Sequence, residues 1–544
     1  MSAPMEPRSM LRMLADGREQ NPSLDILTFV DVAPDGQLRE EVRTYEQLWQ
    51  HGLSLAEGLR AEGMGKGSSF AIIALNHPEF VEAMVASSMA GTIFVPIDWR
   101  TRGDKLRYML SRAECEGAVV ADYALPSVIE ILPQLPMLKW LWVIGDVPVE
   151  VGSVRTRAIV EVLQMPVANE SITFPALDAP MQMLYTSGTT GDPKAILSPH
   201  ARFAAIGNLG TMMGFRSDDR PYTGLSLTHA NAQLITLGNA LSMGLRLVIS
   251  RSFTKSRLWE IMARFGCTTF NLLGGMVIAI YAEPPGRYDR DHKVRFVLSA
   301  GMPPNLWEPF SERFGIEIFE FYGAAEGGLT LNPPGEGPIG SIGKAPANLI
   351  CAILDEQDRE CAPFEYGQIC FRNADGSAQS VEYFGDEAAS VAKTRGGWFR
   401  SGDIGYKDAE GWVFFAHRDG ASIRRNGDFV NAGDVEAFIA ALPGIADAYV
   451  YGVTTPDNAP GECEVVAAVV PYDPDAFDPV AMIASCAAGL SRNASPRFVQ
   501  VLNEIPKTAS EKPQRRFLIA GLKDGSCDTY DQTGRTKIEL RGEG

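Results

Sequence analysis

Residues 185–194 read YTSGTTGDPK, which puts two glycines, three threonines, a serine and a lysine into ten positions directly after Met181–Leu184. Each of these residue types suits a phosphate ligand. Glycines let backbone N–H groups approach oxygens, hydroxyls add donors, and a lysine supplies positive charge. The spacing excludes the common nucleotide loop, G-x-x-x-x-G-K-[ST]. Gly188 and Gly191 are three apart, Lys194 follows at the third position, and no hydroxyl residue comes after it. The plain alternative is a Gly/Thr turn between a strand and a hairpin.

The rest of the chain bounds what such a loop could serve. A length of 544 residues exceeds one compact core, so two or more domains are expected. Hydrophobic residues make up 45% and charged residues 21%, as in a globular enzyme. The formal net charge of -18 repels nucleic acid and anionic membranes, so neither is an expected partner. Any polyanionic ligand must therefore be met by local cations. Eight cysteines form no C-x-x-C pair and there are six histidines, which argues against a zinc site or a disulfide framework. The first residues lack an apolar signal core, and no apolar stretch reaches the roughly 18 residues of a membrane span. A cytoplasmic protein with reduced thiols and no membrane insertion is expected, and a homodimer is compatible with all of this.

The elements that must carry the loop follow from hydropathy. Phe70–Leu75, Thr92–Ile97, Gly117–Asp122 and Leu141–Ile144 are short apolar runs, and Pro78–Ala90 has helical apolar spacing. The pattern recurs at Leu245–Ser250, Thr268–Leu273 and Val294–Leu298. Strands alternating with helices predict βαβ units and a largely parallel sheet. From about Gly340, glycine-rich alternating runs predict a β-rich subdomain. A fresh α+β pattern begins after Arg418, with a helix over Val435–Leu442 and strands at Ala448–Val453 and Cys463–Val470. The expected fold class is thus α/β: a large N-terminal part of parallel-sheet subdomains plus a β-rich subdomain over 1–418, a small mobile α+β part over 419–525, and a polar tail over 526–544.

Six ordered motifs then resemble one family. YTSGTTGDPKAILSPH is similar to the signature of the adenylate-forming superfamily of acyl-CoA synthetases, peptide-synthetase adenylation domains and beetle luciferases. SAGMPP at 299–304, FYGAAEGG at 321–328, GWFRSGDIG at 397–405, HRDGASIRRNGDFVNAGDVE at 417–436 and IPKTASEKPQRRFL at 505–518 follow in the family's order. The linker and C-terminal motifs resemble carnitine/crotonobetaine-type bacterial acyl-CoA ligases more than acetyl or long-chain types.

The resemblance implies ATP-dependent activation of a carboxylic acid to an acyl-adenylate, then transfer to the thiol of coenzyme A, with Mg²⁺ assisting. It implies that Thr186, Ser187, Gly188, Thr189, Thr190 and Gly191 enclose the β- and γ-phosphates, with Lys194 either touching phosphate or anchoring the loop. Ser299, Ala300 and Gly301 take the adenine side. Tyr322 packs against adenine, with Gly323 and Ala325 beside the nucleotide. Glu326 holds the metal, Asp403 accepts from the ribose hydroxyls and Arg418 backs it. Lys512 lies between α-phosphate and carboxylate, while Lys507 is the family's non-catalytic neighbour. His229 sits beside the acyl carboxylate. Arg424 and Gly427 meet the pantetheine arm, with Arg424 and Arg425 suiting CoA phosphates or forming only a solvated basic pair.

Departures from the family pattern are Ala325 for a threonine, Ala195 for a glycine, Glu511 for a glycine, and Gly420, or Asp419 in a shifted register, at the hinge. They leave room for a stand-alone enzyme that loads a carrier protein in trans and, remotely, for a non-catalytic acyl-nucleotide binder. Segments around His229–Gln233, Asn271–Met276, Ser299–Met302 and Tyr322–Gly328 should line the acyl pocket. Leu272, Leu273 and Met276 supply apolar wall, Gly274 and Gly275 leave space, and Asn231 and Gln233 add polar contacts.

Overall fold

Ser69–Ile73 and Ile93–Ile97 are buried at every position. A strand covered on both faces has no solvated side to alternate toward, so it reads as a continuous apolar run. In the computed structural model, which describes residues 7–147, 151, 154–167, 172–186, 193–418, 423–426, 428–458, 462–508 and 513–540, these strands form the centre of a seven-stranded sheet. Its order is Arg155–Ala158, Trp140–Ile144, Cys115–Ala121, Ser69–Ile73, Ile93–Ile97, Pro180–Thr186, Lys194–Pro199. All pairs are parallel except the last.

A second, eight-stranded sheet runs in the order Thr330–Asn332, Glu317–Tyr322, Phe296–Ala300, Thr269–Leu273, Pro221–Thr223, Leu247–Ser250, Asp25–Val32, Leu38–Thr44. It is parallel inside and antiparallel at both ends. One continuous core joins the two sheets through the helices Tyr45–Ala61 and Pro78–Ala90. The first of these starts in a capping box, with Thr44 and Gln47 exchanging side-chain-to-backbone hydrogen bonds. The α/β fold class is as expected from the sequence.

The β-rich part is a five-stranded antiparallel sheet, Ser341–Gly343, Val413–Arg418, Phe399–Lys407, Gly367–Asn373 and Leu349–Leu354. After Arg418 the next described element is a hairpin of Ile423–Arg425 and Asp428–Val430. The small sheet follows, in the order Ile445–Val453, Glu464–Pro471, Phe498–Val501, Asp528–Asp531, Gly534–Arg535. The last two strands correct one expectation. The segment from residue 526 is not a polar tail: it extends the sheet, and Ile538 is buried among Tyr451, Phe498 and Leu518. Its polar residues alternate along an edge, where one face is solvated.

All eight cysteines are free thiols. Among the described residues no helix is long and apolar enough to cross a membrane.

A titratable group sits under the small sheet. Glu436, on the helix Ala432–Ala440, accepts from the Val450 backbone N–H at 2.8 Å. Burial pushes its carboxyl up to about 8, with Asp447 adding to the rise. The folded form therefore holds a proton that the unfolded chain, titrating near 4.5, has already released. Stability falls as pH rises from about 4.5 to 8. Glu436→Gln is expected to flatten that fall, raising the thermal midpoint at pH 8.5 by about 2–4 °C while leaving it unchanged at pH 5; differential scanning calorimetry across the pH series checks this.

Candidate active site

The strands Ile93–Ile97 and Pro180–Thr186 run parallel and end at the same edge of their sheet. The loop of the opening motif leaves from that edge. Ser187, Gly188, Thr189, Thr190 and Gly191 lie outside the described residues, as does the side chain of Thr186. The base of the loop is described: Thr186 pairs with Lys194 in an antiparallel ladder. The Tyr185 hydroxyl donates to the Met109 carbonyl at 2.6 Å and fastens the outgoing strand. Lys194 Nζ lies 3.9 Å from Asp386 and 5.2 Å from the centroid of the Tyr383 ring. It is thus tied at the loop's base and still lines the cleft.

That cleft, of about 1030 Å³, is bounded by both large sheets, the β-rich sheet and a segment of the small domain. In its wall Asp403 is 4% exposed, and its carboxylate has a partner on each oxygen. Arg418 Nε donates to Oδ1 at 2.9 Å, and the Tyr322 hydroxyl donates to Oδ2 at 2.5 Å. Asp403 and Arg418 stand directly opposite one another on neighbouring strands, so the pair is set by register. Burial works against the Arg418 cation, yet the facing Asp403 carboxylate raises it above the usual guanidinium value. Burial and Asp403 together push the Tyr322 phenol well up. The Tyr322 ring stacks on Phe371 at 6.2 Å and 14°, which places one of its faces against protein.

Glu326 lines the cleft and accepts from the Tyr383 hydroxyl at 3.0 Å. Three groups feel its charge. Burial pushes the Tyr383 phenol up and Glu326 adds to it; burial pushes Arg202 and Lys393 down and Glu326 opposes that. Arg202 donates to the Ala324 carbonyl at 3.0 Å, and Lys393 donates to the Ser401 carbonyl at 3.1 Å. Gly323 and Ala325 also line the cleft. Among the described residues no cluster of three or more His, Cys, Asp or Glu could hold a metal ion. Glu326 is a single hard oxygen donor with one oxygen already engaged. That fits Mg²⁺, which takes one or two carboxylates and completes its shell with water and substrate phosphates.

Of the triad Ser299, Ala300 and Gly301, only Ala300 reaches the cleft, and Ser299 is fully buried beneath it. Gly301 has φ +100°, and a Cβ on Gly274 would stand 2.7 Å from its carbonyl oxygen, so both positions require glycine. Glu320, which the sequence reading missed, holds this turn. Its carboxyl accepts from the Gly301 N–H at 2.5 Å and the Met302 N–H at 3.2 Å. Burial pushes it up to about 8. The available signal was its place two residues before Tyr322, on the strand paired with Ser299.

Another part of the cleft wall is built around His229. Its Nδ1 accepts from the Asn231 N–H at 3.2 Å, which leaves the proton on Nε2 when the ring is neutral. A second missed residue, Asn76, fixes the segment before it. Asn76 Nδ2 donates to the carbonyls of Leu225 at 2.9 Å and Ser250 at 2.8 Å, and its Oδ1 accepts from the Leu227 N–H at 2.8 Å. After His229 the chain makes a π-helix, Asn231–Leu237, a form found mostly at functional sites. Ile206, Leu209, Leu234, Ile235 and Leu273 supply the cleft's apolar wall. Three expectations need correction. Gln233 is fully buried and donates to the Leu227 carbonyl at 3.2 Å, so it faces away from the cleft. Leu272 and Met276 are core residues and do not line it. Asn231 does line it, with its Oδ1 accepting from Asn271 at 2.7 Å.

The small domain reaches the cleft with Thr508, Gln514, Arg516 and Phe517. Lys512 lies outside the described residues, but the base of its loop is closed. Lys507 pairs with Pro513, and Gln514 donates from its backbone to Pro506 at 2.7 Å and from its amide to Lys507 at 2.9 Å. Lys507 Nζ is committed to Asp447 at 2.6 Å, a structural ion pair. Arg424 does not line the cleft, and Arg425 is held by Glu464 at 3.1 Å and the Ser495 carbonyl at 2.7 Å. Asp419, Gly420 and Gly427 lie outside the described residues.

Comparison with known proteins agrees with this geometry. Residues 20–379 match the model for AMP-binding enzyme, and residues 434–512 match the AMP-binding enzyme C-terminal domain. A medium/long-chain-fatty-acid–CoA ligase of Mycobacterium marinum is 30% identical over 478 residues, 86% of this chain and 90% of that protein. A steroid-22-oyl-CoA synthetase of Rhodococcus jostii is 30% identical over 508 residues, 89% of this chain and 88% of that one. An anthranilate CoA ligase solved with anthranoyl-AMP superposes with a TM-score of 0.82 at 22% identity, over 95% of this chain and 98% of that one. The likeness to carnitine-type ligases is correspondingly loose. The chain belongs to the AMP-binding enzyme family, and within it to the AMP-forming acid–CoA ligases.

Proposed function

We propose that the acid this ligase activates is a largely apolar one, of medium to long chain or with a ring system. The observation that carries this reading is the wall of Ile206, Leu209, Leu234, Ile235 and Leu273 next to His229. An apolar wall gains roughly 25 cal/mol per Å² of ligand surface removed from water, and it offers a second charged group no partner. The relatives named for fatty and steroid acids point the same way.

The roles follow from the chemistry of each group. The loop 186–191 grips the β- and γ-phosphates. Asp403 keeps a free lone pair on each oxygen and accepts from the ribose hydroxyls. Glu326 would hold Mg²⁺, which supplies charge neutralisation at the phosphates when bound. Lys512 offsets the repulsion between the carboxylate and the α-phosphate as they meet, so the acyl-adenylate forms and pyrophosphate leaves. His229 lies beside the acyl carboxylate and separates it from the path of the incoming thiol. Residues 1–418 carry the nucleotide and the acid, and the part beginning at 419 moves between the two half-reactions. Arg424 and Gly427 belong to the second arrangement, because Arg424 stands off the cleft in this one.

The test is pyrophosphate release with a panel of acids, with and without CoA. Medium- and long-chain and ring-bearing acids are expected to give AMP and acyl-CoA, and turnover of short polar acids alone would overturn the reading. Lys512→Ala is expected to lower acid-dependent pyrophosphate release by about 100-fold or more, with thioester formation from supplied acyl-adenylate affected less. Asn76→Ala leaves three buried backbone groups without their partner, a cost of about 2–4 kcal/mol in urea unfolding. Because those groups lead into His229, its kcat/KM for the acid should fall further than its KM for ATP rises.

A further inference from the structure

The strand Thr269–Leu273 is buried up to its last residue, and a strand covered on both faces is ordinarily apolar throughout. This one carries Asn271 at its centre, 2% exposed. An amide placed there costs about 1–3 kcal/mol unless its hydrogen bonds are made. One of them is: Asn271 Nδ2 donates to Asn231 Oδ1 at 2.7 Å. The complementary atoms are open. Asn271 Oδ1 and Asn231 Nδ2 are both buried, and neither has a partner among the described residues. Rotating both carboxamides by a half-turn keeps the mutual bond and exchanges the open atoms. In either orientation the pair holds one unspent amide N–H group and one unspent carbonyl.

The pair belongs to the cleft wall. Asn231, 6% exposed, opens the π-helix Asn231–Leu237 and lines the cleft beside His229. Asn271 shares a strand face with Leu273, which lines the cleft together with Ala300, its partner in register. The wall on this side is otherwise apolar, with Leu234, Ile235 and Leu273. An isolated polar group in such a wall discriminates between ligands, because a ligand without a matching group leaves it buried and unpaired. Asn271 fixes the Asn231 carboxamide, and Asn231 is the member at the cleft. The neutral pair offers no counter-charge to an ionised substituent. A keto oxygen suits the N–H orientation only. A hydroxyl suits both, accepting from the N–H or donating to the carbonyl. We propose that the acid carries a hydroxyl group on its apolar skeleton, and that Asn231, held by Asn271, is the residue that selects it. This rests on the proposed function above and narrows the substrate class from an apolar acid to a hydroxylated one.

Acid pairs of matched skeleton test this with the full-length protein: dodecanoic acid against its chain-hydroxylated forms, and cholanoic acid against its ring-hydroxylated forms, read by pyrophosphate release. For at least one pair the hydroxylated acid is expected to give a kcat/KM about 10-fold or more above its parent, and Asn231→Leu to bring that ratio to within about twofold of one. Asn271→Leu, which frees the Asn231 carboxamide, is expected to give an intermediate ratio. Thermal midpoints without ligand report the folding of both variants, and each ratio is taken within one variant, so a loss of folded protein cancels. A wild-type ratio at or below one in every pair overturns the proposal, as does a preference that survives Asn231→Leu. If no acid of the panel releases pyrophosphate, the proposed function fails. The shift in thermal midpoint that each acid of a pair produces, in the wild type and in Asn231→Leu, still decides the hydroxyl preference.

Discussion

The structure turns on one nearly dehydrated carboxylate. Asp403 is held in the cleft wall by a guanidinium on the next strand and a phenol from another sheet. A buried carboxylate without partners would cost several kcal/mol, and charge-assisted hydrogen bonds to both oxygens remove most of that cost. The arrangement does more than tolerate a charge. Tyr322 ends a strand of the eight-stranded sheet, and Asp403 and Arg418 belong to the β-rich sheet, so the carboxylate fixes how two subdomains meet. Arg418 also ends the strand Val413–Arg418, so the ion pair fixes the end of the β-rich sheet.

From that fixed point the other site groups fall into two sets. Glu326, Tyr383, Lys194, Lys393 and Arg202 form a connected electrostatic neighbourhood in which one acid moderates several cations. Under the proposed function, a nucleoside triphosphate would meet positive charge there that is already positioned, which avoids reorganisation during the reaction. The second set is held by backbone. Glu320 takes the amides of Gly301 and Met302, and Asn76 takes a carbonyl or amide from three separate points. Neither residue lines the cleft, and each holds backbone that leads into its wall.

The difference between the sets explains what could be read from the amino acids. The strands Ser69–Ile73 and Ile93–Ile97 and the helix Pro78–Ala90 were legible within a residue or two, because burial on all sides leaves short continuous apolar runs in the strands and a mostly apolar helix between them. Side chains that meet a ligand cluster in short motifs with fixed spacing, and their order along the chain marked the family. Glu320 and Asn76 left no such mark. Their partners are backbone groups, which every sequence supplies at every position, so only the three-dimensional register picks them out. Gln233 erred in the opposite direction. Its polarity suggested a ligand contact, but on a π-helix the spacing of faces differs from 3.6 residues per turn, and its amide points at Leu227 instead.

The tail teaches the same lesson for strands. Residues 528–535 looked too polar to join a core, and by composition alone they are. They join as the last two strands of the small sheet, where Thr529 is buried, and Ile538 just beyond them packs into the core. This matters for the site, because the sheet they complete carries the helix Arg515–Asp524 against it through Leu518 and Leu522. That helix begins with the residues that reach the cleft. A segment with no chemistry of its own thus backs the helix whose first turn lines the cleft.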